Sequence, residues 1–232
     1  MLEVYRMKGT KAIRMRKLYI ETTAKLIRNE GMSGVSMRKI SNLIGLNVAT
    51  MYNYFENQEH LVTFAALKFL APYTKALNGI MRNASNNALD RYIRVFSCFA
   101  HYSFKDPELF CNLFYGNYGD ELHDIIHEYY ELYPEELDIR DEAVSKMLFA
   151  GRIIEREQHI TRPIFEEGFI TEESQKYLAE FAIAMHERLL RQICGRERSY
   201  TPEQQEKAYI DSMKFLLRSI KIPETPEVEL LG

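Results

Sequence analysis

The sequence predicts an all-α protein, and three observations carry that expectation. Apolar residues recur at steps of three and four along most of the 232 residues. Glycine, proline and small polar residues fall between those runs, where helices start and stop. No stretch alternates apolar and polar residues with the period of two that a half-buried strand shows.

The elements follow in chain order. From Thr10 to Asn29, Ile13, Ile20, Ala24 and Ile27 keep one face apolar, with a longer step filled by Arg16 and Lys17. Gly31 comes next, suited to end a helix in a left-handed conformation. Ser36 caps a short helix, Met37 to Ile44, with Ile40, Leu43 and Ile44 inward. Gly45 breaks it, and Asn47 caps a second short helix, Val48 to Tyr54. Asn57 and Glu59 open a longer helix carrying Leu61, Phe64, Ala65 and Phe69, which Pro72 kinks or ends. Further helices are expected near 86–104, 107–115, 119–132, 139–167, 172–194 and 202–220, punctuated by Asp106-Pro107, Pro134, Gly168 and Thr201-Pro202. The last residues, Ile222 to Gly232, hold Pro223 and Pro226 and are expected to be a loose tail.

Composition excludes several classes. Hydrophobic residues are 46% and charged residues 27%, ordinary for a globular protein with a buried core. No apolar run approaches the roughly 20 residues of a membrane-spanning helix, so no membrane partner is expected. Met1 to Arg16 is basic without an apolar stretch, which does not fit a signal peptide. Cys98, Cys111 and Cys194 are far apart in sequence, against a disulfide framework or a cysteine-based zinc site. Reduced thiols in a cytoplasm are the simplest reading.

The net charge of -3 hides an asymmetry. Residues 1–61 carry +5 and the remaining 171 carry -8. A basic front on an acidic body suggests that the front meets a polyanion.

The informative stretch is Gly31 to Leu61, GMSGVSMRKISNLIGLNVATMYNYFENQEHL. It reads as helix, tight Gly45-Leu46-Asn47 turn, helix, which is helix-turn-helix geometry. Ile40, Leu43, Leu46 and Met51 are expected to lock the two helices, leaving Val48, Ala49 and Asn53 to face a major groove. Ala24, Gly31, Val35-Ser36, Ile40, Gly45, Thr50, Tyr52, Tyr54-Phe55, Glu59 and Leu61 together resemble the DNA-binding domain of the TetR (tetracycline-repressor-like) family of transcriptional regulators. The resemblance covers about residues 11–62, and the run Thr50 to Leu61 is its most diagnostic part. It implies residues 1–61 as a three-helix DNA-binding domain, joined to a helical ligand-binding and dimerisation domain over 62–221, with 222–232 as the tail.

The implied contacts suit the chemistry. Thr50, Tyr52 and Tyr54 offer hydroxyls for phosphate oxygens. Ser36 and the amides of Met37 and Arg38 stand at a helix N-terminus, which favours a phosphate. Arg38 has the fork for a base edge or a phosphate, and Asn47, Ala49 and Asn53 lie on or beside the second helix. Lys11, with Arg14 and Lys17, approaches the backbone from the front. Gln58 stands where the family usually has Lys, so that contact brings no charge and less salt dependence.

For the body, the resemblance implies a small-molecule effector and a homodimer, with no catalytic set and no cofactor. Residues 99–133 hold 10 aromatics, and Phe99, Tyr102, Phe110, Phe114 and Tyr118 are candidate pocket residues. Residues 120–142 hold 10 acids and only Arg140 as a base, a lining that would suit a cation or else a solvated face. Leu178, Phe181, Ala182, Met185, Leu189 and Ile193 form one apolar stripe, and Tyr209, Met213, Leu216, Leu217 and Ile220 another. Phe181, Met185, Leu189, Met213, Leu216 and Leu217 are the candidate dimer residues, which would space two reading helices over a near-palindromic duplex operator. Two alternatives stay open. His123 and His127, one turn apart, would serve a metal-dependent helical enzyme. The front helices would otherwise bind another protein.

Overall fold

A computed structural model describes residues 9–83, 87–137, 142–194 and 200–222. Among them the chain forms twelve α-helices and no strand. The start of the chain, and the expected tail beyond Ile222, lie outside the described residues.

The first four helices are α1 (Thr10–Glu30), α2 (Met37–Ile44), α3 (Val48–Met51) and α4 (Gln58–Leu67). Their ends follow the local chemistry. Ser36 Oγ accepts from Lys39 N at 3.3 Å, Asn47 Oδ1 from Ala49 N at 2.9 Å, and Asn57 Oδ1 from His60 N at 2.9 Å. Gly45 ends α2 at φ 76°, ψ 29°, the left-handed conformation that a glycine adopts without steric cost. The third helix is shorter than its sequence pattern. After Met51 the chain tightens, with Tyr54 N bonding Met51 O at 2.9 Å, so Tyr52 and Asn53 sit on a turn.

The body holds α5 (Ala71–Asn83), α6 (Ala88–Lys105), α7 (Pro107–Tyr115), α8 (Leu122–Leu132), α9 (Glu142–Leu148), α10 (Ile153–Glu166), α11 (Glu172–Cys194) and α12 (Pro202–Ile220). Pro72 neither kinks nor ends α4. A 3-10 turn, Lys68–Leu70, intervenes, and Pro72 sits in the first turn of α5, where its missing N–H costs nothing. The single helix expected over 139–167 is two helices. Glu155 Oε2 accepts from Gly151 N at 3.0 Å and Arg152 N at 3.2 Å, satisfying amides at the break and starting α10. Asp106 precedes α7 without a side-chain cap, and Pro107 alone marks that start.

Helix α4 crosses the expected boundary at residue 61 and packs on α1 on one side and on α7 and α8 on the other. Helix α11 is the central strut of the body, against α10, α12 and α7. One apolar cluster runs from Ala12 to Leu217, so head and body share a core.

Candidate DNA-reading surface and effector chamber

The head is locked from inside by Ile40, Met51, Phe55 and Phe64, all 0% exposed. Leu43 and Leu46 do not join them. They are 66% and 37% exposed, two apolar side chains bordering the turn on the outer surface. Ile13 likewise faces out, and the inward face of α1 is Ala12, Tyr19, Ile20, Ala24 and Ile27. Arg16 fills its longer step from within. It is buried, stacks 4.9 Å over the Phe64 ring and pairs with Glu128 of α8 at 2.6 Å.

Lys11, Arg38, Asn47, Ala49, Tyr52 and Asn53 are all exposed, while Ser36 and Thr50 are half-buried. Tyr54 turns the other way: its ring is buried, 6.0 Å from that of Tyr19. Gln58 spends its carboxamide inside the head. Its Oε1 accepts from Met37 N at 3.1 Å and its Nε2 donates to Val35 O at 3.3 Å. The Met37 amide, expected to meet a phosphate, is therefore satisfied by Gln58, and the pair ties α4 to the start of α2. Gln58 thus has a structural role within the head.

The acidic stretch serves the seam between head and body. Besides Arg16–Glu128, Lys68 Nζ stands 2.7 Å from Glu136 and 2.8 Å from Glu21. Tyr118, expected in a pocket, lies here too. Its hydroxyl donates to Glu56 at 3.0 Å and accepts from Asn57 Nδ2 at 2.7 Å, and its ring stacks on His60 at 5.0 Å. Burial lowers the His60 pKa, and its neutral ring accepts from Glu56 N at 3.2 Å. Glu128 and Glu136 thus hold cations of the chain itself, and neither lines the chamber described below. Glu128→Gln is expected to lower stability by about 2 kcal/mol in urea titrations, because it strands the buried Arg16 charge while Glu128 itself is partly hydrated.

The chamber is a cavity of about 50 Å³ in the body, walled by Tyr73, Phe96, Phe99, Phe114, Tyr115, Ile160 and Tyr209 among others. Besides the tyrosine hydroxyls, Arg156, Glu157 and His186 bring polar side chains to this wall. Arg156 is 7% exposed; Nη2 donates to Ala150 O at 3.0 Å, whereas Nε is buried without a partner. Burial pulls its pKa down to about 10. Glu157 accepts from Tyr92 Oη at 2.8 Å, and burial pushes its carboxyl up to about 7 against that hydrogen bond. Burial drives His186 down to about 3, so its ring is neutral. Its nitrogens lie 2.7 Å from Tyr115 Oη and 2.7 Å from Ser103 Oγ. The chain closes when Tyr115 donates to Nδ1, and Nε2–H donates to Ser103, which donates on to Ala100 O at 3.1 Å.

Of the five pocket candidates, Phe99 and Phe114 line this chamber. Tyr102 and Phe110 stand behind them, packing 5.9 Å and 6.3 Å from Tyr73, and Tyr118 is in the seam. His123 and His127 approach to 4.4 Å between ring centroids, but His123 Nδ1 is engaged by Phe149 O. Among the described residues no group of three His, Cys, Asp or Glu side chains gathers as a metal site. Likewise, no helix among them is long and apolar enough to cross a membrane.

Residues 20–63 match the family of bacterial regulatory proteins, tetR family. Over that segment, which runs from α1 into α4, the chain is similar to the tetR family. No curated protein matches it. The tetR-like head continues into a body, and the fold of the two together recurs in solved structures. A Rhodococcus protein of unknown function aligns at TM-score 0.56 and 15% identity, covering 94% of this chain and 98% of its own. Thermus thermophilus FadR, a TetR-family transcriptional repressor in complex with lauroyl-CoA, aligns at 0.57 and 14%, covering 92% and 100%. At those identities the likeness is one of fold.

On the body the expected dimer stripes divide. Leu189, Met213 and Leu217 are already buried by their own subunit, at 2%, 0% and 2%, and leave no surface for a partner. Phe181 is exposed, and Met185 and Leu216 are half-buried. Sequence reasoning missed Tyr177 and Phe215, which are the most exposed large apolar side chains of α11 and α12.

Proposed function

We propose that this regulator is a homodimeric repressor that binds a near-palindromic duplex operator and releases it when a small molecule enters the body. The head takes residues 1–61 and the body 62–221. The observation that carries the reading is the exposed set Arg38, Asn47, Tyr52 and Asn53, held on and beside the α2–α3 unit over a fully buried lock, with Lys11 exposed on α1. Cations and hydroxyls there meet phosphates, and Arg38 and the two asparagines reach base edges. Phe181 and Phe215, with Tyr177, form the twofold interface that sets the spacing of two heads. The protein acts where its operator is, in the cytoplasm.

The chamber suits an effector with an apolar body and an acceptor group for the unpartnered Arg156 Nε. FadR, which shares the fold, holds lauroyl-CoA in its structure, which fits an apolar effector here. At about 50 Å³ the cavity must expand for a ligand of more than a few atoms. That expansion moves α7 and the α8 seam, shifting the population toward heads that no longer match two successive grooves.

Selection of random duplex DNA on the protein, followed by a salt titration, tests this directly. A near-palindrome with steep salt dependence is the expected result. Tyr52→Ala and Lys11→Ala should then weaken binding across sequences by about 1 kcal/mol or more, and Arg38→Ala should cost about 1–3 kcal/mol and relax one position. No enrichment at low salt, or unchanged affinity in all three variants, would overturn the reading surface.

A further inference from the structure

Two of the three cysteines meet in space. Cys111 on α7 and Cys194, the last residue of α11, hold their sulfurs 3.7 Å apart, although 83 residues separate them. Both are half-buried. Cys194 donates its S–H to Cys111. Cys194 also forms part of the wall of an open groove of about 440 Å³, between the end of α1 at Gly31 and Met32 and the start of α7 at Pro107. The groove opens Cys194 to a small oxidant, and Cys111, 3.7 Å behind it, is itself only half-buried.

We propose that Cys111 and Cys194 form a peroxide-sensitive modification site that closes to an intramolecular disulfide and ties α7 to α11. The hydrogen bond from Cys194, and next the nearby Arg191 guanidinium, hold the Cys111 thiol below its usual pKa despite burial. Cys111 is therefore the attacking sulfur. Its thiolate displaces hydroxide from a hydroperoxide and becomes a sulfenic acid. Cys194 attacks that sulfur and expels a second hydroxide. The two thiol protons neutralise both, so two thiols and one hydrogen peroxide give one disulfide and two waters. The sulfurs must approach by about 1.7 Å to reach bonding distance. Cys98 is the contrast: it is buried, which pushes its thiol up to about 11.

The seam that would be locked is functional. Tyr115, one turn beyond Cys111, lines the chamber and accepts Arg191 Nη2 at its carbonyl, 3.4 Å away. Asn112, next to Cys111, stands 3.5 Å from Thr63 of α4, the helix whose Gln58 holds the start of α2. Cross-linking α7 to α11 therefore acts on chamber and head together. This regulatory half rests on the proposed DNA-binding role, whereas the cross-link does not.

The test treats reduced full-length protein with hydrogen peroxide, alkylates the remaining thiols and maps digests by mass spectrometry without reductant. The expected product is a peptide pair joined through Cys111 and Cys194 within one chain, with Cys98 alkylated. Cys111→Ser and Cys194→Ser should each abolish it. Oxidised protein should differ at least threefold from reduced protein in operator affinity, reversibly with dithiothreitol, and Cys194→Ser should show no such change. Unreacted thiols, separate sulfinic acids or a disulfide between chains would overturn the modification site. A formed cross-link with equal operator affinity would overturn the regulatory half. Failure of the reduced protein to bind any DNA would instead count against the DNA reading and leave the cross-link standing.

Discussion

Phe181→Glu combined with Phe215→Glu is expected to turn the proposed dimer into a monomer and to cut operator affinity by at least about 100-fold. The two side chains are 44% and 72% exposed, so they contribute little to the subunit's own core. Tyr177, Phe181 and Met185 follow at steps of four along α11 and share one face. Exposed aromatic anchors of this kind carry most of the energy of an interface, commonly about 2 kcal/mol or more each. Twofold symmetry presents every substitution twice, so the proposed interface would take in four carboxylates. Dimer dissociation should rise by roughly three orders of magnitude or more, equivalent to about 4 kcal/mol. Two uncoupled heads then bind half-sites singly, which removes the gain from simultaneous engagement. Light scattering and an operator titration read both effects. Met213→Ala is the informative control. Its side chain is 0% exposed, so it should lose about 2–4 kcal/mol of folding stability while leaving the exposed face intact. A double glutamate variant that stays dimeric and keeps its operator affinity would place the interface elsewhere.

That contrast shows where the sequence was legible. Caps and stops depend on neighbours in the chain, so Ser36, Gly45, Asn47, Asn57 and Thr201 act as their positions imply. Helices α11 and α12 run over the residues that periodicity marks, 172–194 and 202–220. Periodicity does not say which apolar stripe faces the helix's own subunit. Met213 and Leu217 look inward, while Phe215 between them looks out. Leu43 and Ile13 face solvent against their pattern for the same reason. The break between α9 and α10 depends on a glutamate folding back three or four residues, and its one local signal, Gly151, is a residue that helices also tolerate. Contacts at long range carry no local signal. Arg16 meets Glu128 across 112 residues and Cys111 meets Cys194 across 83. No local pattern singles out Arg156 and Glu157, and only packing shows that they face a cavity.

Glu157→Gln is expected to gain on the natural protein as pH rises, by up to about 3 kcal/mol between pH 5 and 8. Burial holds the Glu157 carboxyl at about 7 in the fold, against an ordinary value of 4.5. Between those values the folded state keeps a proton that the unfolded chain has released. Stability from this group is thus fully present below about pH 4.5 and is lost as pH climbs through 7. Each pH unit between the two values corresponds to about 1.4 kcal/mol, which sets the ceiling. Glutamine keeps an acceptor for Tyr92 and never ionises, so its variant escapes the loss. His186 works in the opposite sense. Its value of about 3 lies below the ordinary 6.5, so its contribution is present above 6.5 and is lost as pH falls toward 3. Both proteins carry His186, and it cancels from their difference. In the natural protein the two slopes oppose each other between about pH 4.5 and 6.5, and below that the histidine acts alone. Urea midpoints for both proteins at pH 5 and pH 8 decide the matter, and a difference that does not change with pH would remove Glu157 from its assigned environment. The same titration governs the chamber. An acidic effector seated on Arg156 meets a neutral neighbour below pH 7 and an anionic one above it. Binding of such an acid should weaken above pH 7 in the natural protein and hold steady in the glutamine variant.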